Sequence, residues 1–212
     1  MTIAAAIPED DLLSPLDLWR ELRALLVAAL SIWGEPVKIA AQAVFNREQR
    51  DLFRAYLSDL ENLLRKLLFL DARHLIATLS PASGGGRRVK GQRSGAKNAA
   101  STPFNPEDSS RWRVSFRLLA STPRAHAKRA HRRSDPHLFA TLPWAKRLEA
   151  LRRAFNDPAT YAKRLARLLQ RKPALAPIFA RAVTILTRGK RRPNADVVNH
   201  AAVHVARAID SS

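Results

Sequence analysis

Leu18, Leu22, Leu25, Leu26, Ala29, Leu30 and Trp33 recur at the three- and four-residue steps of one helix face. The segment carries its own punctuation. Ser14 stands as N-cap, Pro15 takes the first helical position, Asp17 holds the capping-box position, and Gly34 followed by Pro36 ends the element. A second apolar series, Leu52, Phe53, Tyr56, Leu57, Leu60, Leu63, Leu64, Leu67 and Leu68, predicts a helix opening at Pro36 and running to about residue 79, where Ser80-Pro81 stops it. Asn46, with Gln49 as capping partner, offers a second start inside that stretch. Arg50, Arg54, Asp59, Glu61 and Arg65 are expected on its opposite face. The apolar stripe is wider than one neighbouring helix covers, so this N-terminal hairpin must self-associate, take a partner protein, or dock on the rest of the chain.

Residues 81–110 hold a Gly triplet, five basic residues and almost no large apolar side chains, which predicts a flexible basic linker because little surface is there to offset chain entropy. In 111–118 Arg, Arg, Ser and Arg alternate with Trp112, Val114, Phe116 and Leu118, the period of a strand. Asp108, Ser109 and Ser110 equally suit the cap of a helix, so both readings stand open. Residues 123–136 are basic with nothing apolar larger than Ala. Three helices follow. The first, 143–155, turns Trp144, Leu148, Leu151 and Phe155 inward. The second, 158–171, is capped by Asp157 and turns Tyr161, Leu165, Leu168 and Leu169 inward. The third, 174–187, is nearly all apolar and is expected to be the central buried helix. Asn194 caps a last helix carrying Val197, Val198, Ala201, Val205 and Ile209. The fold class is all-α: a near-neutral hairpin over 1–80, a basic linker over 81–110, and a basic helical bundle over 111–212, with a single short strand at 111–118 if that segment is extended.

Composition changes the picture through charge. The chain has 212 residues, 46% of them apolar, enough for a substantial core. Its net charge of +19 is unevenly placed: residues 1–80 sum to −2 and residues 81–212 to +21. Self-repulsion of this size destabilises a compact state and is relieved by a bound polyanion.

Several chemistries are excluded or left without a basis. There is no cysteine, so disulfides, thiolate catalysis and cysteine-type zinc sites are absent. Residues 1–11 carry three acids and no basic start, unlike a signal peptide, and the longest uncharged apolar run, 24–34, is shorter than a bilayer span. A cytoplasmic protein with no transmembrane segment is expected. Gly84–Gly86 follow no strand and make no phosphate loop. His126, His131 and His137 lack the other half of a zinc motif. Asp196, His200 and His204 are too far apart along a helix to share one metal. Asp71 and His74 read as capping or surface residues. No cofactor, metal or catalytic group is expected, and the chain reads as non-enzymatic.

The basic residues are the remaining signal. Arg124, Lys128, Arg129, Arg132 and Arg133 form one cluster; Lys146, Arg147, Arg152 and Arg153 another; Lys163, Arg164, Arg167 and Arg171 a third; Lys190, Arg191 and Arg192 a fourth. The helices 143–155 and 158–171 contain one acid between them, Glu149, whereas a merely solvated face interleaves both signs. Arginine suits phosphate, and few Asn or Gln are placed to read bases, so the expected partner is DNA or RNA, bound by backbone or shape. Two other classes compete: an adaptor docking on an acidic protein through 111–118, and peripheral binding to anionic membrane with Trp112, Phe116 or Trp144 inserted.

Overall fold

The computed structural model describes residues 13–42, 44–78, 108–119, 139–180 and 194–210. Helix α1, Pro15–Trp33, starts as its sequence dictates: the Ser14 hydroxyl accepts the Asp17 N–H at 3.2 Å and donates to the Asp17 carboxylate at 2.5 Å. That hydrogen bond holds the Asp17 carboxyl below its ordinary range, with Arg20 adding to the effect. Gly34 ends α1 at a φ of 85°, its N–H reaching Leu30 O at 2.9 Å, a backbone conformation that glycine adopts without strain.

The stretch predicted as one helix over 36–79 is two. Helix α2, Pro36–Ala41, stops after one and a half turns, and a two-residue strand β1, Val44–Phe45, intervenes. Asn46 and Gln49 then close a reciprocal capping box, the Gln49 N–H donating to Asn46 Oδ1 at 2.8 Å and the Asn46 N–H to Gln49 Oε1 at 3.2 Å. The second start signal prevails because it satisfies two backbone donors that a continuous helix would not expose. Helix α3, Arg47–Thr78, runs 32 residues from there, about 48 Å at the α-helical rise. β1 pairs antiparallel with β2, Phe139–Ala140, Val44 opposite Ala140 and Phe45 opposite Phe139.

Helices α4, Leu142–Asn156, α5, Pro158–Arg171, and α7, Ala195–Asp210, complete the bundle with a one-turn α6, Ala176–Phe179, preceded by a 3₁₀ turn at Pro173–Leu175. The central helix is α3. It packs on α1, α4, α5, α6 and α7, so Leu57, Leu60, Leu63, Leu64, Leu67 and Leu68 are fully enclosed. The wide stripe is covered by helices of its own chain, and the near-neutral front and basic back contribute to one hydrophobic core. Of the stripe, Leu52 stays exposed. Being surrounded, α3 also buries groups expected on its outer face: Asp59 is inaccessible, and Glu61 and Arg65 are largely covered.

Of the apolar stretch 174–187 the structure describes 174–180, and these are part of a 3₁₀ turn, the one-turn α6 and Ala180 rather than a continuous helix, with Ile178 exposed and Phe179 buried. Phe179 stacks on Phe69 at 5.0 Å between ring centroids, and its carbonyl accepts a 2.6 Å hydrogen bond from the buried Lys66 ammonium. Residues 181–187 lie outside the described residues, as do most of the linker 81–110 and all of 123–136.

Residues 112–117 are neither strand nor helix. After a 3₁₀ turn, Ser109–Arg111, capped by Asp108, the chain is extended without strand pairing, and its side chains alternate: Trp112 and Phe116 buried, Arg113, Ser115 and Arg117 exposed. Arginines from neighbouring helices take the place of a partner strand. Arg153 donates to the carbonyls of Ser109, Ser110 and Trp112, and Arg65 donates to Arg117 O at 3.0 Å.

Between Ala24 and Ala41 the charges are Glu35 and Lys38, so Pro15–Ala41 contains an 18-residue window of mean hydropathy 1.5, long and apolar enough by composition to cross a bilayer even though its uncharged run is short. In the structure it is two helices parted at Gly34, and α1 places Leu18, Leu22, Leu26 and Ala29 in the core.

Candidate nucleic-acid interface

The least compensated charge in the described residues is on α5. Asp157 caps it, accepting the Thr160 N–H at 3.3 Å, and Pro158 opens it. Ala162, Leu165, Ala166 and Leu169 face the core, against α3. That register puts Lys163, Arg164, Arg167 and Arg171 in solvent. Lys163, Arg167 and Arg171 follow at one-turn steps of about 6 Å, a row of about 12 Å, and α5 contains no acid.

The neighbouring surface extends this row. Tyr161, at the start of α5, makes an edge contact with Phe116 at 6.2 Å, which lays the extended segment 112–117 beside the helix with Arg113 and Arg117 outward. These two arginines were not among the residues singled out from sequence. Their signal was the alternation itself, once the apolar partners Trp112 and Phe116 are known to point inward. Arg164 lies over the Tyr161 ring, 5.6 Å from its centroid.

The basic residues of α4 have a different use. Glu149 is buried on α4 and is bound by Arg152 Nε at 2.9 Å and Arg153 Nε at 2.7 Å. The Glu149 hydrogen bond raises the Arg152 guanidinium above its ordinary range. Arg147 bridges to Glu61 of α3 at 2.9 Å and covers the Trp144 ring. Glu61 also binds Arg65, which lies over Phe116 and whose burial lowers its pKa against the opposing pull of Glu61. Lys146 is half-buried. Thus Arg147, Arg152 and Arg153, grouped with α5 by sequence, are tied into the protein's own framework. For Arg152 and Arg153 the signal was local, Glu149 standing three and four residues before them, whereas Arg147 meets an acid of α3 86 residues away that no local period shows.

Comparison of the chain with protein-family models, curated proteins and solved structures gives no match. The site therefore rests on its own geometry. Arg124, Lys128, Arg129, Arg132, Arg133, Lys190, Arg191 and Arg192 lie outside the described residues. Among the described residues no group of three His, Asp or Glu is placed to hold a metal ion. His200 and His204 instead meet the residue before α1: the Leu13 N–H points at His200 Nδ1 at 3.5 Å, and His204 Nε2 donates to Leu13 O at 2.6 Å. A cavity of about 360 Å³ lies between the C-terminal ends of α3, α5 and α7, lined by Ile76, Leu169, Pro173, Ala176 and Ile209 with Arg73 and Gln170; Arg73 already donates to Ala208 O at 3.1 Å.

Proposed function

We propose that this is a non-enzymatic, cytoplasmic nucleic-acid-binding accessory protein that holds a phosphate backbone against α5 and the segment 112–117. The observation that carries this reading is the exposed row Lys163, Arg164, Arg167 and Arg171 on a helix without acids whose other face packs on α3. Fixed cations release condensed counterions when they meet phosphates, and they lose little conformational freedom if already ordered. Arg113 and Arg117 widen the same face.

The rival readings have less to work with. Trp112 and Phe116 are in the core, so neither is placed to enter a membrane or seat on an acidic partner as an apolar anchor. The α3 stripe is likewise occupied and offers little to a second copy.

Salt titration of duplex binding tests the proposal. Contact with roughly 6 to 10 phosphates gives a log–log slope of about −5 to −9. Reversing Lys163, Arg164, Arg167 and Arg171 to Glu should flatten it by about 3 to 4 without loss of helix. Unchanged binding by that variant, or binding insensitive to salt, overturns the reading. Arg152 and Arg153 are unsuitable for the same test, since Glu at either position would face buried Glu149.

A further inference from the structure

Within that reading, on which it rests, we infer that the surface takes double-stranded rather than unpaired nucleic acid, because the described aromatic rings beside the basic face are already covered. Proteins that hold unpaired strands combine a basic groove with aromatic faces on which bases stack, each stack contributing about 1–3 kcal/mol. Among the residues whose exposure is described no Trp, Tyr or Phe side chain is exposed. Trp112 and Phe116, adjacent to the basic face in sequence, are turned into the core by the alternation that turns Arg113 and Arg117 out.

Two half-buried rings each carry an arginine. Tyr161 meets Phe116 on its edge and carries the Arg164 guanidinium over its face at 5.6 Å. Trp144 meets Phe53 at 6.4 Å and carries the Arg147 guanidinium at 5.1 Å. An unpaired base would have to displace an arginine to reach either ring, giving up a cation–π contact and, at Tyr161, a phosphate donor with it. A duplex needs no ring. It offers phosphates at high linear density to Arg164 where it lies, over the Tyr161 ring.

The experiment uses the full chain and three probes of equal length, about 20 nucleotides per strand: a DNA duplex, an RNA duplex of matched sequence, and oligo-thymidylate, titrated at one salt concentration and again at several. Either duplex should bind at least about tenfold tighter than oligo-thymidylate, whose backbone charge density is lower and whose bases find no platform. The two duplex arms show which backbone geometry is preferred, and a preference for either upholds the inference. Oligo-thymidylate binding equal to or tighter than both duplexes, with steep salt dependence, overturns it while leaving the polyanion surface standing. No salt-dependent binding of any probe overturns the surface itself. Arg164→Ala supplies an independent arm: uncovering Tyr161 should shrink the duplex-to-single-strand ratio to about threefold or less, since one stack becomes available. A ratio unchanged by Arg164→Ala refutes the shielding.

Discussion

Arg153→Met is the substitution that most directly tests how the extended segment is held. The guanidinium serves four acceptors: Glu149 Oε1 at 2.7 Å, Trp112 O at 3.0 Å, Ser110 O at 3.1 Å and Ser109 O. Methionine keeps much of the stem's volume and removes every donor. Stripping one partner from a buried ion pair costs about 3–5 kcal/mol when the remaining charge is left alone. Here Arg152 still binds the other Glu149 oxygen at 2.9 Å, which reduces that loss, while three carbonyls lose a charged donor near the surface. The net expectation is about 2–4 kcal/mol of global stability, a fall in Tm of roughly 5–15 °C for a chain of this size. Urea denaturation followed by far-ultraviolet circular dichroism gives the free energy. Near-ultraviolet dichroism should show weakened tryptophan signals before the main transition, because Trp112 is seated by this contact. Adding Glu149→Leu to Arg153→Met should recover part of the loss, since the stranded carboxylate is gone. A cost below about 1 kcal/mol, or a double variant worse than both singles summed, would refute the assignment of Arg153 as the clamp on 109–112.

Lys66 predicts an unusual alkaline response. Burial lowers its pKa to about 8, whereas the unfolded chain holds that proton to 10.5, so between these values the unfolded state binds more protons and stability rises with pH. Between about pH 8 and 10 the gain should approach roughly 2–3 kcal/mol, and Lys66→Met should abolish it; a flat or falling profile in the parent protein contradicts the burial. Tyr56, raised by its own burial, opposes the trend only at higher pH. Leu64→Ala, in the middle of α3 and fully enclosed, should cost about 2–5 kcal/mol by urea denaturation, against less than about 0.5 for Leu52→Ala in the same stripe.

Local chemistry was legible in the sequence wherever its cause lay within a few residues. Ser14 and Asp17, Asn46 and Gln49, Asp157 and Pro158, and the positive-φ Gly34 mark helix ends because the groups that satisfy the orphan donors are neighbours along the chain. The period-2 alternation of 112–117 likewise needs only the pleat of an extended backbone. Tertiary structure decided the rest. It made α3 the centre by surrounding it, which buried Asp59 and largely covered Glu61 and Arg65 on a face that its pattern marked as outward. It replaced a missing strand with arginines from α3 and α4, contacts 41 and 52 residues distant in sequence, for which no local period exists. It also divided a uniform run of cations in two: those of α4 met Glu61 and Glu149, while those of α5 met none on their own helix. Net charge is additive along a chain and can be read from it. Which charges remain uncompensated depends on distance in space, and that only packing sets.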